Sequence, residues 1–149
     1  ETLEAVRAKA IHTDKEMWLK KHKPFPQVIK KLNNLAKEEI DFAVLTTKGA
    51  QFTINLLEYL QLKPNKIYGR ESGSKIDILL ELKKTRVLLG LIEDRRLTLE
   101  KVVATKGLNS LPCYLASWGY LKPNDKNNLP KEIRLLRPEE LHTPLASWL

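Results

Sequence analysis

Cysteine, long apolar runs and nucleotide-binding glycine motifs are scarce or missing in this sequence of 149 residues. Cys113 is the single cysteine, so an internal disulfide is excluded, and its apolar surroundings predict a buried side chain. The longest apolar run covers residues 87–92, well short of the roughly 18 residues that span a bilayer. Neither Gly-x-x-x-x-Gly-Lys-Ser/Thr nor Gly-x-Gly-x-x-Gly occurs. We therefore expect no membrane partner, no P-loop and no dinucleotide fingerprint.

The residues that are abundant are typical of an ordinary globular domain. Apolar residues make up 42% of the chain and charged residues 30%. The net charge of +8 is diffuse, and its densest run consists of Lys20, Lys21, Lys23, Lys30 and Lys31. Phe25 is the one aromatic residue in that run, whereas single-strand binders interleave several stacking rings with their cations. Nucleic-acid binding is therefore a weak alternative, and we expect a cytoplasmic protein.

Apolar patterning predicts alternating helices and strands along most of the chain. The predicted strands are residues 42–45, 66–68, 87–92, 113–116 and 133–136. Predicted helices cover residues 26–37, the stretch from Gly49 towards Pro64, residues 76–82 and residues 97–103, and a terminal turn or helix follows at 138–149 with Trp148 packed on the core. This alternation predicts a three-layer, Rossmannoid α/β fold, with a mostly parallel sheet between helices on both faces.

Polar residues follow two of these predicted strands. Thr46 and Thr47 come after the strand at 42–45, Glu93 and Asp94 come after the strand at 87–92, and Lys75 begins a helix. Ligands of parallel α/β folds bind beyond the carboxyl ends of the strands, so these side chains are candidates for one site. A hydroxyl, an ammonium and two carboxylates can hold a phosphate and Mg²⁺. Taken singly, each also fits a plain role as helix cap, surface lysine or carboxylate at a helix N-terminus.

The same residues resemble the motifs of a known family. Residues 42–48 (FAVLTTK), Lys75 at a helix start and residues 89–95 (LGLIEDR) are similar, in order and spacing, to the second, third and fourth motifs of the haloacid dehalogenase superfamily. The resemblance implies a magnesium-dependent phosphohydrolase that acts on a small phosphorylated substrate through an aspartyl-phosphate. It implies catalytic roles for Thr46 and Lys75, substrate binding by Thr46, Thr47 and Lys75, and magnesium binding by Asp94 and Glu93.

One motif of that family is missing from this sequence. The superfamily's nucleophile lies in an Asp-x-Asp motif after its first strand, and no Asp-x-Asp occurs here. Asp14, Asp41 and Asp77 do not follow predicted strands, so none of them is a candidate nucleophile. We interpret residues 1–23 as the helical remnant of a cap domain, residues 24–149 as the core, and the segment with the first strand as absent. The chain is therefore expected to be inactive alone.

Two other interpretations were weighed against this one. Response-regulator receivers also place aspartate, threonine and lysine at strand ends, but there the acidic residues come first, whereas here they come last. The stronger alternative is a non-catalytic module on the same fold, which binds a phosphate ligand or a protein. The oligomeric state and the identity of the substrate are not predicted by any feature of the sequence.

Overall fold

The computed structural model describes residues 25–119 and 121–148, in which helices alternate with short parallel strands. The expected opening helices at residues 1–23 lie outside the described residues. The α-helices are α1 (Pro26–Asn34), α2 (Ala50–Tyr59), α3 (Lys75–Thr85) and α4 (Arg96–Val103). The strands are β1 (Ala43–Leu45), β2 (Lys66–Tyr68), β3 (Leu91–Glu93), β4 (Cys113–Ala116) and β5 (Ile133–Leu136). The predicted α/β class is therefore confirmed at this coarse level. No helix among the described residues is both long enough and apolar enough to cross a membrane.

The chain divides into two compact units, and the first is Glu1–Ser74. Its described part contains α1, which continues as a 3₁₀ turn over Leu35–Glu38 and ends where Glu39 adopts a left-handed conformation with φ 58°. β1 then pairs in parallel with β2, in a register that places Val44 opposite Ile67. The helix predicted at 26–37 is thus a shorter α-helix with a 3₁₀ end, and the strand predicted at 66–68 is confirmed.

The second unit, Lys75–Leu149, is built around a three-stranded parallel sheet in the order β3-β4-β5. All four residues of the central strand β4 are buried, which confirms the prediction for Cys113. A strand that is covered on both faces needs apolar side chains on both, and Cys113–Ala116 supplies them without polar alternation. The most deeply buried side chains around this strand come from α4, β4, β5 and the loop after α4: Leu99, Val102, Leu108, Leu115 and Leu136.

The strand predicted at residues 87–92 is wrong in its bounds. Only Leu91–Glu93 forms a strand, and Val87 remains 87% exposed. The ladder to β4 begins where the N–H of Leu91 donates to the carbonyl of Pro112 at 2.9 Å. Continuing the ladder upstream would require an N–H at position 112, which proline lacks. The apolar run at 87–92 therefore does contribute to a strand, but that strand is shorter than the run because its partner β4 offers no donor at Pro112.

The central position predicted for the strands at 42–45 and 87–92 stays a prediction. Among the described residues β1 pairs with β2 alone and β3 with β4 alone, so each lies at the edge of its sheet. The five strands accordingly form a two-stranded and a three-stranded sheet, and the single Rossmannoid sheet with both strands at its centre remains a prediction. Ile92 is 45% exposed, as expected for an edge strand and unlike a strand inside a parallel sheet.

Two hydrogen-bonded clusters hold the loop after β4 and the chain end in place. The Arg96 guanidinium donates to the carbonyl of Asp125 at 3.3 Å and to that of Asn128 at 2.9 Å, which fixes the turn-rich loop at 122–128. Trp148 is buried and meets the Tyr114 ring edge to face, with centroids 5.6 Å apart. Its indole N–H donates to the hydroxyl of Thr143 at 2.8 Å. The prediction that Trp148 packs on the core is confirmed.

Candidate functional site

Lys75 and Glu93 form an ion pair in the second unit. Lys75 is the first residue of α3 and Glu93 is the last residue of β3, so the pair joins a helix start to the carboxyl end of a strand. The Nζ atom of Lys75 lies 2.5 Å from Oε2 of Glu93. The side chain of Lys75 is 21% exposed and that of Glu93 is 8% exposed. A pair with this little exposure is screened less by solvent than a surface ion pair. The ammonium of Lys75 is therefore held in one position at the strand end.

The second oxygen of the Glu93 carboxylate is engaged by the backbone. Its Oε1 accepts the N–H of Asp94 at 3.1 Å and the N–H of Arg95 at 3.2 Å. These two amides lie just before α4, so the carboxylate also meets the positive end of that helix. Burying a carboxylate is costly unless it is paired and hydrogen-bonded, and Glu93 has both kinds of partner. The Glu93 side chain consequently holds the backbone turn at residues 93–95 in place.

Asp94 follows Glu93 and lies directly against Gly119, in the loop after β4. A Cβ atom built on Gly119 would be 2.3 Å from Cβ of Asp94 and 3.1 Å from both its Cγ and Oδ2. Since real Cβ contacts do not occur under 3.0 Å, position 119 has no room for a side chain while Asp94 stays where it is. No hydrogen bond or ion pair with a described residue uses the Asp94 carboxylate. Sequence reasoning missed the role of Gly119, although its place after a predicted strand was a usable signal.

Thr46 and Thr47 lie in the first unit, between β1 and α2. The N–H of Thr46 donates to the carbonyl of Tyr68 at 3.0 Å, and its hydroxyl oxygen accepts the N–H of Lys48 at 3.1 Å. This local turn holds the Thr46 side chain close to the chain that enters α2. Thr47 is exposed. The hydroxyl of Thr46 thus follows the strand end as predicted, and it donates to no residue within 25–119 and 121–148.

Glu71 is a further residue at this loop that sequence reasoning missed. Its Oε1 accepts the N–H of Ala50, the first residue of α2, at 2.9 Å. The approach is close because Gly69 packs against the helix start, where an added Cβ would lie 2.4 Å from the nitrogen of Ala50. A carboxylate at a helix N-terminus satisfies an N–H that has no partner within the helix. β1 and β2 are parallel, so the loops that follow them lie at the same edge of their sheet. The position of Glu71 after β2 was therefore a usable signal in the sequence.

The structure brings some of the predicted site residues together. Lys75 pairs with Glu93, and Asp94 follows Glu93 in the same unit, whereas Thr46 and Thr47 belong to the first unit. The convergence of Thr46, Lys75 and Asp94 on one phosphate therefore stays a prediction. Arg95 is exposed and immediately precedes α4.

The donor set near Asp94 can be tested for its fit to Mg²⁺. Within residues 25–119 and 121–148, no group of three or more histidine, cysteine, aspartate or glutamate residues is arranged to hold a metal ion. Mg²⁺ does not need such a cage, since it commonly binds through one or two carboxylates, retains several waters and takes the rest of its ligands from a substrate phosphate. The unengaged carboxylate of Asp94 fits that mode of binding.

Comparison with known proteins adds no family assignment. No protein-family model matches the chain, and no curated protein or solved structure matches it significantly. The resemblance to the haloacid dehalogenase superfamily accordingly depends on the motifs alone.

Proposed function

We propose that this chain carries the phosphate- and magnesium-binding part of a haloacid dehalogenase-like phosphohydrolase, which acts on a small phosphorylated substrate. The main support is the pairing of Lys75 with Glu93 at the carboxyl end of β3, with the unengaged Asp94 beside it. A cation and a carboxylate at the end of a parallel strand are the groups that the third and fourth motifs of that superfamily supply. Ligands of open α/β sheets also bind at this end of the strands.

In this proposal each side chain stabilises one part of the reacting phosphate. The Lys75 ammonium offsets the negative charge that phosphate and attacking carboxylate bring together, and the hydroxyls of Thr46 and Thr47 donate to phosphoryl oxygens. Asp94 would hold Mg²⁺, which neutralises phosphate charge when bound. Phosphoryl transfer depends mainly on such positioning and charge stabilisation, so the residues of this chain would supply much of what the reaction requires.

The proposal also requires an attacking carboxylate. An aspartate would form the new bond to phosphorus while the bond to the substrate alcohol breaks, and water would then release inorganic phosphate. No Asp-x-Asp occurs in this sequence, so we propose that the nucleophile comes from a segment outside it. Among residues 25–119 and 121–148, β1 and β3 each have one strand neighbour, which is consistent with a further strand because each can accept one more partner.

The alternative is a non-catalytic module that binds a phosphate ligand or a protein. The observation that favours it is the lack of an Asp-x-Asp motif, because a lysine, threonines and an aspartate can bind phosphate without a nucleophile. The two functions differ in turnover, whereas both predict that the chain binds phosphate.

Activity assays of two forms of the protein test the proposal. The 149-residue chain and a form extended upstream in the parent reading frame are incubated with an aryl phosphate, with Mg²⁺ or a chelator. We expect no turnover by the chain alone and magnesium-dependent turnover by the extended form. Asp94→Asn should lower turnover of the extended form strongly, whereas Glu81→Gln, a matched change at an exposed acid in α3, should not.

Three other outcomes of these assays would contradict or change the proposal. Metal-dependent turnover by the 149-residue chain would refute the missing nucleophile. An inactive extended form that still binds inorganic phosphate would favour the binding module. A chain and an extended form that bind neither phosphate nor Mg²⁺ would remove both functions.

A further inference from the structure

The strand β3 and the chain that leads into it expose apolar side chains. Residues 87–92 (VLLGLI) contain neither a charged residue nor a proline. Val87 is 87% exposed, Leu89 is 40% exposed and Ile92 is 45% exposed. Soluble proteins usually protect an edge strand with charges, proline or a covering segment, because an exposed apolar edge pairs readily with another strand. This segment is therefore a candidate interaction surface.

The backbone of Ile92 directs its hydrogen-bonding groups away from β4. The N–H of Leu91 donates to the carbonyl of Pro112, and Leu91 lies opposite Cys113 in the parallel register. Successive residues of a strand direct their N–H and C=O groups to alternate sides, so those of Ile92 point to the other side. Among the described residues β3 has no strand neighbour on that side. A further strand can therefore form hydrogen bonds with β3 there.

The sequence of this segment is complementary to a second copy of itself. When two copies pair antiparallel about Gly90, Arg86 of each copy lies opposite Asp94 of the other, and Leu88 lies opposite Ile92. Opposite charges that face each other across an antiparallel pair are stabilising, whereas like charges in that position are destabilising. The pairing thus joins apolar residues at its centre and opposite charges at its two ends.

Backbone geometry selects the same register. An antiparallel ladder forms between residues that direct their N–H and C=O groups towards each other, and in an extended chain Leu88, Gly90 and Ile92 all point to the open side of β3. Pairing about Gly90 places these residues opposite one another. A shift by two residues would instead place Arg86 opposite Ile92 or opposite Arg96, so it loses the contact between opposite charges.

We propose that the 149-residue chain forms a symmetric dimer in which residues 86–94 of two copies pair antiparallel about Gly90. The three-stranded sheets of the two copies then form one continuous sheet. Each contact occurs twice because the interface is two-fold symmetric. Arg86 supplies a partner to the Asp94 carboxylate, which has none within residues 25–119 and 121–148. The strand required by the proposed function can still pair with β1, which also has a single neighbour.

Sedimentation equilibrium of the 149-residue chain over a range of concentrations tests the dimer. Asp94 cannot serve Arg86 of a second copy and Mg²⁺ at the same time, so the measurement is made in the presence of a chelator. We expect a reversible equilibrium between monomer and dimer. A chain that stays monomeric throughout, up to millimolar concentration, would overturn the proposal.

A charge placed within the paired segment locates the interface. Ile92→Lys should raise the dissociation constant of the dimer by about tenfold or more, because it puts a cation where two apolar side chains meet. Tyr59→Lys is the matched control, since Tyr59 is 40% exposed and lies at the end of α2. It should change the dissociation constant by about twofold or less. Equal effects of the two variants would overturn the proposed interface.

Charge reversal tests the register. Arg86→Asp alone and Asp94→Arg alone should each raise the dissociation constant by about tenfold, because like charges then face each other twice in the dimer. An equimolar mixture of the two variants should dimerise as well as the parent chain, since position 86 of each copy again lies opposite the opposite charge at position 94 of the other. This recovery would also show that both variants fold. A mixture that stays monomeric would overturn the pairing about Gly90.

The form extended upstream in the parent reading frame provides a final test. A dimer of that form that is disrupted by Ile92→Lys would support the interface in the parent protein. An extended form that is monomeric, while the 149-residue chain dimerises, would assign this edge to an upstream strand and overturn the dimer for the parent protein. Either result leaves the phosphohydrolase proposal to the activity assays, so the two proposals fail independently.

Discussion

The two units of the chain use the same parallel pairing with different degrees of burial. In the second unit, β4 has a neighbour on each side and is buried at all four residues, with Leu115 at 0% exposure. In the described part of the first unit, β1 has a single neighbour and none of its three residues is buried. A strand between two neighbours forms hydrogen bonds along both edges and is covered on both faces. Among the residues that the structure describes, the largest fully buried side chains accordingly lie in the second unit.

The polar residues of the two units differ in the groups that they contact. Lys75 and Glu93 neutralise each other at a nearly buried position, so their geometry depends on side-chain contacts. Thr46 and Glu71 instead bond to backbone N–H groups around the start of α2. The charged candidate residues of the second unit are accordingly held by side-chain contacts, whereas the candidate hydroxyl residues of the first unit are more exposed. Charged groups that are fixed before a ligand arrives require less reorganisation when it binds.

The largest change in the free energy of unfolding is expected for truncation of a side chain in the buried strand β4, compared with one in β1. Leu115→Ala in β4 should lower the free energy of unfolding by about 3–5 kcal/mol, because it leaves a cavity at a fully buried position. Leu45→Ala in β1 should cost about 2 kcal/mol or less, because that side chain is only partly buried. Urea unfolding followed by circular dichroism measures both changes. Equal losses would show that the two strands contribute alike to the core, contrary to the comparison.

A smaller effect is expected from breaking the ion pair in the second unit. Lys75→Met should lower the free energy of unfolding by about 1–3 kcal/mol, because Glu93 stays buried without its ammonium partner. The control is Lys84→Met, which removes an ion pair to Glu81 whose side chains are 67% and 72% exposed. That change should cost about 0.5 kcal/mol or less. If both variants lose the same stability, the pair at the strand end is no stronger than a surface ion pair.

In the first unit, the contact of Glu71 with α2 is expected to contribute about as much as an ordinary helix cap. Glu71→Ala should lower the free energy of unfolding by about 1 kcal/mol, because the Ala50 N–H loses its acceptor. Glu71→Gln keeps an oxygen acceptor and should lose less. Glu58→Ala, at an exposed acid near the other end of α2, serves as the control, and a loss there as large as in Glu71→Ala would argue against the capping role.

The smallest effect at neutral pH concerns Cys113. Burial raises the pKa of this thiol from its ordinary value of 9.0 to about 11. The folded chain therefore keeps a proton that the unfolded chain releases, so the stability that Cys113 contributes is complete below pH 9.0 and is lost as the pH rises towards about 11. Burial also raises the pKa of Tyr114, which adds a loss of the same sign.

Urea unfolding at a series of alkaline pH values checks this prediction. Cys113→Ala should show a shallower fall of stability with rising pH than the parent chain, while the contribution of Tyr114 remains. Thiol labelling of the folded chain near neutral pH should be slow, because the thiolate is the reactive form and burial disfavours it. An unchanged pH dependence in Cys113→Ala, or rapid labelling, would contradict the shifted pKa.

Several elements were predicted correctly from the apolar pattern of their own residues. The strands at residues 66–68, 113–116 and 133–136 were predicted with the bounds that the structure gives. Lys75 was correctly placed at a helix start. The strand at 87–92 failed because its upstream end depends on Pro112, which is remote in sequence. Periodicity detects whether a segment can form a strand, whereas ladder length also depends on the partner.

The candidate site was predicted in part, for a related reason. Lys75, Glu93 and Asp94 were selected because polar residues at strand ends and helix starts are visible in one dimension. Glu71 and Gly119 were missed although each follows a strand, because their importance comes from contacts with Ala50 and Asp94 that form on folding. The resemblance to a family suggested roles for single residues and did not indicate which acid would be engaged by the protein itself.

Apolar patterning alone predicts the α/β class, the order of the elements and the apolar residues of β4, because hydrophobic burial and backbone pairing leave periodic patterns along the chain. The pairing of Glu93 with Lys75, and the lack of a partner for Asp94 among the described residues, follow from the folded arrangement and from no local pattern. The physical reason is that a carboxylate acquires its role from the donors and charges around it, and those come from segments that only folding brings together.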